Sequence, residues 1–433
     1  MTTTTRTTAT AQAAWATEEF GLALHDAGGT DSGWRVTELV QPGLRRNPRR
    51  AHLLVSTVLG KHVPTEPALV RAAADALADK VTAVLGADTA ADAVVLGFAE
   101  TATGLGHAVA ARMGAACYLH STRRHTPGVP VLGGFEEGHS HATSHLLQPT
   151  SADLFANDAP LVLVDDEIST GATAVDAIRA LHQIAARDHY VIASLVDMSE
   201  PHHRAAIAAA GRDLGARIDH VALAAGRTHL PGGLTEQVIA LDPPVLNPVG
   251  DRIGDVTEVQ VAWPAHVPDG GRYGILSADT AAFTAATTAA AAALVPHMDP
   301  ARPVIVIGHE ELMYLPLCIA EHLTDRGLAV RYQTTTRSPA YVHDDPGYPL
   351  RRGFEFCAPE TDLTARRYLY NAAWPDPGRD AQLLLVLDTP ADTAELRAPG
   401  GLLDVLTAAG HDVTVAVVPA TDHHALTSAR NHS

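Results

Sequence analysis

Leu161-Val-Leu-Val-Asp-Asp-Glu-Ile-Ser-Thr-Gly-Ala-Thr173 is the stretch from which the rest of the chain can be read. Four consecutive aliphatic residues predict a strand buried on both faces, as in the interior of a parallel sheet. Two acids follow at its carboxyl end, then a loop of small and hydroxylated residues, then an amphipathic run that predicts a helix. In open parallel sheets ligands sit outside the carboxyl ends of the strands, so Asp165 and Asp166 point into the expected crevice.

Each part of the stretch suits a sugar phosphate. Ionised carboxylates at 165 and 166 accept hydrogen bonds from a vicinal diol. Ser169, Thr170, Gly171 and Thr173 offer hydroxyls and unobstructed N–H groups at a helix amino terminus, where partial positive charge favours a phosphate. A diol and a phosphate held a few residues apart describe ribose 5-phosphate. The plainer reading, a buried strand and a helix with Asp caps, leaves the Thr-Gly-x-Thr loop unexplained. A nucleotide hydrolase would need G-x-x-x-x-G-K-[ST], which the sequence lacks.

The stretch resembles the motif by which type I phosphoribosyltransferases bind 5-phosphoribosyl pyrophosphate (PRPP). The resemblance implies that Asp165 and Asp166 grip the ribose hydroxyls while Ser169, Thr170, Gly171, Ala172 and Thr173 cradle the 5′-phosphate. It also implies Mg²⁺, held through PRPP together with Asp165 and Asp166. Gly97-Phe-Ala-Glu-Thr-Ala-Thr-Gly104, between a predicted strand and helix, is similar to the pyrophosphate loop of that family. Thr101, Thr103 and Gly104 are its candidates, and Arg123 and Arg124 of Ser121-Thr-Arg-Arg124 are candidates for meeting pyrophosphate and its metal.

Phe135-Glu-Glu-Gly-His-Ser-His-Ala-Thr-Ser-His145 falls where type I enzymes carry a loop that closes over the substrates and excludes water. Glu136 and His139 join Glu100 as acid–base candidates, beside Asp165 and Asp166 as the principal catalytic positions. His139, His141 and His145 with Glu136 also have spacing open to a transition metal. Upstream, residues 45–64 resemble the hood of orotate phosphoribosyltransferases. That likeness carries Ser56 and Lys61 over as acceptor contacts and tilts the acceptor toward a pyrimidine-like acid or another small ring; Phe98 is a further acceptor-binding candidate. Arg45 to Arg50 is either part of this hood or a basic surface.

Around these motifs, residues 35–223 alternate short apolar runs with amphipathic ones. Strands are expected at 93–96, 117–119, 161–164, 190–196 and 218–223, with helices at 104–113 and 172–186. The alternation returns after a Pro- and Gly-punctuated connection at 228–264. Strands are expected at 303–307, 329–333, 383–387 and 413–418, and helices at 315–323 and 402–409. The expected organisation is a flexible segment at 1–34, a phosphoribosyltransferase domain at 35–245 and a second α/β domain at 250–425, all with mainly parallel sheets. Residues after Asp422 are expected to fray.

The second domain resembles the accessory domain named for its Thr-Arg-Ser-Pro motif, here Thr336-Arg-Ser-Pro339, found after phosphoribosyltransferase domains in tellurium-resistance-type gene clusters. Glu310, Glu311, Tyr314, Thr336 and Arg337 are either a second pocket or structural relics. The halves also align with each other. Gly97 and Glu100 fall on Gly308 and Glu311, Ser121-Thr-Arg123 on Thr335-Thr-Arg337, and Asp165 on Asp388, which suggests a diverged duplication. The second copy lacks the Thr-Gly-x-Thr loop and is not expected to bind PRPP.

Composition narrows the function. In 433 residues, 46% are hydrophobic and 18% charged, which suits two or three packed domains. A formal net charge of −18 disfavours a nucleic-acid binder, which needs a basic face. Three widely spaced cysteines form no framework and suit a reducing cytoplasm. No apolar run is expected to reach membrane-spanning length. Transfer from PRPP to a small acceptor, in a chain of this fold that commonly pairs, is the expected activity. The rival is a non-catalytic sensor of PRPP or nucleotides.

Overall fold

Residues 14–28, 32–136, 144–360, 365–376 and 378–431 are described by a computed structural model. The strand Leu161–Ile168 lies inside a seven-stranded sheet. The order across the sheet is Ala23–Asp26, Arg217–His229, His189–Asp197, Leu161–Ile168, Val94–Gly97, Cys117–His120 and Ile275–Leu276. The five central strands are mutually parallel, and the two edge strands run antiparallel.

Both faces are covered, as the unbroken aliphatic run requires. Val162 and Val164 face a core built with helices Pro67–Leu85 and Thr103–Met113. Leu161 and Leu163 face another core with helix Ala172–Ile184. The central strand runs on to Ile168 because Asp165, Glu167 and Ile168 stay in register with Ser194, Val196 and Asp197.

The second sheet has five parallel strands in the order Val256–Gln260, Val413–Val418, Gln382–Asp388, Val304–Gly308, Val330–Thr334. Four strands of each sheet share one order: the first β-strand of the set sits between the second and third, and the fourth lies beside the third. Each set also carries an antiparallel hairpin at the same point in the chain, Gly133–Glu136 with Ser144–Leu147 and Gly353–Cys357 with Arg366–Tyr370. A mixed α/β fold with mainly parallel sheets is therefore present in both halves.

Several segments differ from the sequence expectation. Within the segment expected to be flexible, Trp15–Phe20 is helical and Ala23–Asp26 pairs with the long strand Arg217–His229. The C-terminal stretch does not fray along its described length. His423–Asn431 is a helix with Leu426 buried, tied down by Arg430 to Asp279 and Thr150. The connection contains helix Leu234–Ala240 and the edge strand Val256–Gln260.

One helical stretch, Ser277–His297, is long and apolar enough by length and composition to span a membrane, contrary to expectation. Its hydropathy comes from alanines. Phe283, Ala286, Ala290 and Leu294 pack it onto the second sheet's core.

Candidate active site

At the carboxyl end of Leu161–Ile168 the flanking strand Val94–Gly97 has ended while His189–Asp197 still pairs, and Asp165 and Asp166 become partly exposed. Asp165 Oδ1 accepts from the N–H of Asp166 at 2.9 Å, which fixes the first carboxylate against the backbone. Gly171 then turns the chain with φ +74° and starts the helix. A Cβ there would stand 2.7 Å from the Ile207 side chain, so both backbone and space call for glycine. Thr170 Oγ1 accepts from Ala172 N at 3.2 Å. Ser169 is exposed at the loop tip, and Thr173 is half-buried on the first helical turn.

The basic segment 45–50 reaches this strand end through Arg50. Arg50 donates to Glu167 at 2.8 Å and to His52 Nε2 at 3.1 Å. Burial pushes the Glu167 carboxyl up, and Arg50 offsets this only in part. Burial, reinforced by Arg50 and Arg45, lowers the His52 imidazole to about 4. Lys61 Nζ donates to Thr101 Oγ1 at 3.0 Å, joining the 45–64 segment to the Gly97–Gly104 loop. Ser56 is buried and its hydroxyl accepts from Val58 N. Phe98 is buried in the core beside Phe135, with ring centroids 5.3 Å apart.

The Gly97–Gly104 loop contains a cis peptide between Ala99 and Glu100. Thr103 is buried and donates to the carbonyls of Glu100 and Glu311. Gly104 lies against Met313, whose Cβ would be 2.8 Å from an added Cβ. Thr103 and Gly104 therefore face the second domain, whereas Thr101 faces Lys61. Arg123 donates from Nε to Ala99 O at 3.3 Å. Arg124 turns into the second domain, bridging Glu310 and Asp388 at 3.2 Å each.

Of the acid–base candidates, Glu100 is buried and accepts from Thr336 Oγ1 at 2.6 Å and Arg337 N at 2.9 Å. The Glu136 side chain, His139 and His141 lie outside the described residues. His145 is buried, hydrogen-bonded to Ser121 Oγ at 2.7 Å and stacked on Phe135. The metal reading of that histidine cluster thus has one described member, already engaged.

Glu310, Glu311, Thr336 and Arg337 do come together, at the boundary with the first domain. Tyr314 does not join them; it stacks on His107 and takes a hydrogen bond from Arg71. Arg367, Arg337 and Arg124 all bond Glu310. Glu311 is buried, and although burial alone would raise its pKa, Arg272, His120 and Arg124 hold it down at about 2. His309, Glu310 and Glu360 place three donor atoms within 4.8 Å of one another. Their charges are already met by arginines, with Glu360 on Arg367 at 2.7 Å, so the cluster is an ion-pair network and does not fit a cation.

Arg50, Glu167, Arg272, Glu360, Arg367 and Asp388 were not singled out from sequence as partners in these networks. Asp-Asp-Glu167 is a visible signal that strand geometry keeps a third acid at the site. A cleft of about 580 Å³ opens elsewhere, between helices Pro67–Leu85, Thr280–Leu294 and Tyr314–Asp325. It lies away from the acids at 165 and 166, and its Arg71 is paired to Glu321 by two bonds.

Residues 39–227 match the model of a family described as phosphoribosyl transferase. Residues 269–406 match that of the TRSP domain, described as C-terminal to this transferase. No curated protein matches the chain. Similar solved structures include adenine phosphoribosyltransferases from three organisms. That of Trypanosoma brucei is 14% identical over 44% of this chain and 77% of that one, with TM-score 0.33. That of Giardia lamblia is 18% identical over 43% and 96%, with TM-score 0.32. That of Leishmania tarentolae is 15% identical over 51% and 100%, with TM-score 0.32.

Proposed function

This chain is a phosphoribosyltransferase that carries a TRSP domain after its transferase domain, and from that premise we propose that it moves a 5-phosphoribosyl group from PRPP to a small, base-like acceptor. The observation that carries the reading is the strand-end arrangement of two part-exposed carboxylates followed by a glycine-turned helix amino terminus. In this reading Asp165 and Asp166 accept hydrogen bonds from the ribose 2′- and 3′-hydroxyls. Ser169 to Thr173 wrap the 5′-phosphate with N–H and hydroxyl donors.

The bond from C1 to the pyrophosphate oxygen breaks, and its electron pair leaves with pyrophosphate. A bond from C1 to an acceptor nitrogen forms, and the proton displaced from that nitrogen passes to a base or to solvent. No covalent enzyme nucleophile is required, so rate comes from positioning and from stabilising the departing charge. Mg²⁺, when bound, neutralises the pyrophosphate; part-exposed carboxylates at 165 and 166 are hard oxygen donors that suit it. Glu136 and His139 are our acid–base candidates. Glu100, held by Thr336 and Arg337, has a positioning role in this reading. Lys61 and the hood over the loop support an acceptor of small-ring size.

Three free cysteines, two of them buried, support a reducing cytoplasmic location. The test is pyrophosphate release from PRPP and Mg²⁺ in the presence of a panel of nitrogenous rings. Release that depends on one member of the panel is expected. Binding of PRPP without release for any acceptor would favour the non-catalytic sensor.

A further inference from the structure

The two halves repeat a set of hydrogen bonds at matching places. Gly97 O accepts from Ser121 N and Gly308 O from Thr335 N, both at 3.0 Å. Ser121 Oγ accepts from Ala99 N at 2.9 Å, and Thr335 Oγ1 accepts from Glu310 N at 3.1 Å. Thr122 N donates to Leu146 O and Thr336 N to Tyr368 O, both at 2.9 Å. Tyr118 and Tyr332 each donate a hydroxyl to a carbonyl at the start of the preceding helix, those of Thr103 and Met313.

Across the boundary the halves exchange partners. Glu100 accepts from Thr336 Oγ1 and the Arg337 N–H. Glu311 accepts from Thr122 Oγ1 and the Arg123 N–H, each at 2.8 Å. The glutamate of each strand–loop–helix unit thus holds the Thr-Arg pair of the other. Contacts of i with j and j with i mark a two-fold, isologous interface, of the kind two copies of one chain make.

The chemistry is not symmetric. Asp388 is the second half's counterpart of Asp165, but it is buried and bridged by Arg124. The residue that matches Arg124 in the second half is Ser338, which brings no charge. One ligand crevice is therefore filled by an arginine from across the boundary, and the other is not filled in this way.

We propose that the C-terminal half is a built-in, non-catalytic partner subunit, and that its Glu311 is a positioning residue for the pyrophosphate end of the site. This rests on the phosphoribosyl-transfer reading above. Glu311 fixes Thr122 and Arg123 through its carboxylate and takes a bond from Thr103 at 3.0 Å through its carbonyl. It thereby locks two separate segments, the Gly97–Gly104 loop and the Ser121–Arg124 strand end, in one geometry. The 5′-phosphate loop at 169–173 is not among its contacts.

Titration calorimetry on the full chain, with Mg²⁺ present, separates the possibilities by using inorganic pyrophosphate and ribose 5-phosphate as distinct probes. Wild type is expected to bind both. Glu311→Ala is expected to weaken pyrophosphate about tenfold or more, the scale of one charge-assisted hydrogen bond, and to leave ribose 5-phosphate within about twofold. Glu311→Gln, which keeps the shape and one acceptor oxygen, is expected to fall between, and it carries the test if the alanine variant does not fold. Equal weakening of both probes, or none in a folded variant, overturns the positioning role and leaves the transfer reading standing. Failure of wild type to bind either probe overturns the transfer reading and this inference with it.

Discussion

Asp165 and Asp166 sit where a strand ceases to be buried on both faces, so partly exposed carboxylates there cost little to the fold. Asp166→Asn removes the charge while keeping the shape. It should lower PRPP affinity or turnover about 10- to 100-fold, in line with charge-assisted hydrogen bonds of about 1.5–3 kcal/mol, and shift the melting temperature by only a few degrees. Gly171→Val should act differently. A β-branched residue at φ +74° with its Cβ 2.7 Å from Ile207 should destabilise the fold by about 1–3 kcal/mol and weaken 5′-phosphate binding as well, read by denaturant unfolding and by ribose 5-phosphate titration. These positions were legible in the sequence because their chemistry is local: acids, hydroxyls and glycine lie within thirteen consecutive residues. Glu167 is in the same run and was not assigned, because its meaning depends on Arg50, 117 residues away.

The strand–loop–helix units were readable wherever aliphatic residues carried the period, and most expected strands fall within a few residues of those observed, although the one expected at 218–223 runs on to His229. Helix Pro67–Leu85 was not anticipated although Val70, Ala73, Ala74, Leu77, Ala78 and Val81 form a buried stripe at helical spacing. Alanine is so common here that it carried little weight as a helix signal, and the same discount hid Thr280–Leu294. Loop neighbours were the least legible. Thr103, Gly104 and Arg124 look like anion contacts in sequence, yet each turns to the second domain, which only tertiary structure can reveal. Arg124→Ala should leave Asp388 and Glu310 buried with one fewer counter-charge. A loss of about 3–5 kcal/mol is expected by chemical denaturation, the cost of breaking one side of a buried ion pair.

Taken as a molecule, the chain joins its halves through buried charge, and that makes stability depend on pH with a definite sign. His52 and His120 are held neutral chiefly by burial, each with a pKa lowered to about 4. The unfolded chain binds their protons first, so stability should decline as pH falls from about 6.5 toward 4. For Glu311 and Glu360 burial raises the pKa, but Arg272 for the first and His309 for the second lead the opposing interactions that hold each at about 2. Their contribution is complete above about 4.5 and is lost as pH falls toward 2. Urea midpoints measured from pH 8 to 3 should be level near neutrality and then fall, and Glu311→Ala should flatten the part below 4.5. Because the halves share this network, calorimetry at pH 7.5 should give one unfolding transition; two separated transitions would show that the interface does not couple them. The pairing of halves was partly legible, since Gly, Glu and Thr-Arg align in order. Their exchange across the boundary was not, because alignment says which residues match and nothing about which ones meet.

The central claim is that residues 161–173 bind the ribose and 5′-phosphate of PRPP, and titrating PRPP with Mg²⁺ into wild type and Asp166→Asn tests it most directly. Saturable binding by wild type, weakened about 10-fold or more in a variant whose melting temperature shifts by no more than a few degrees, is the predicted result. Equal binding by both proteins, or none by wild type, contradicts it.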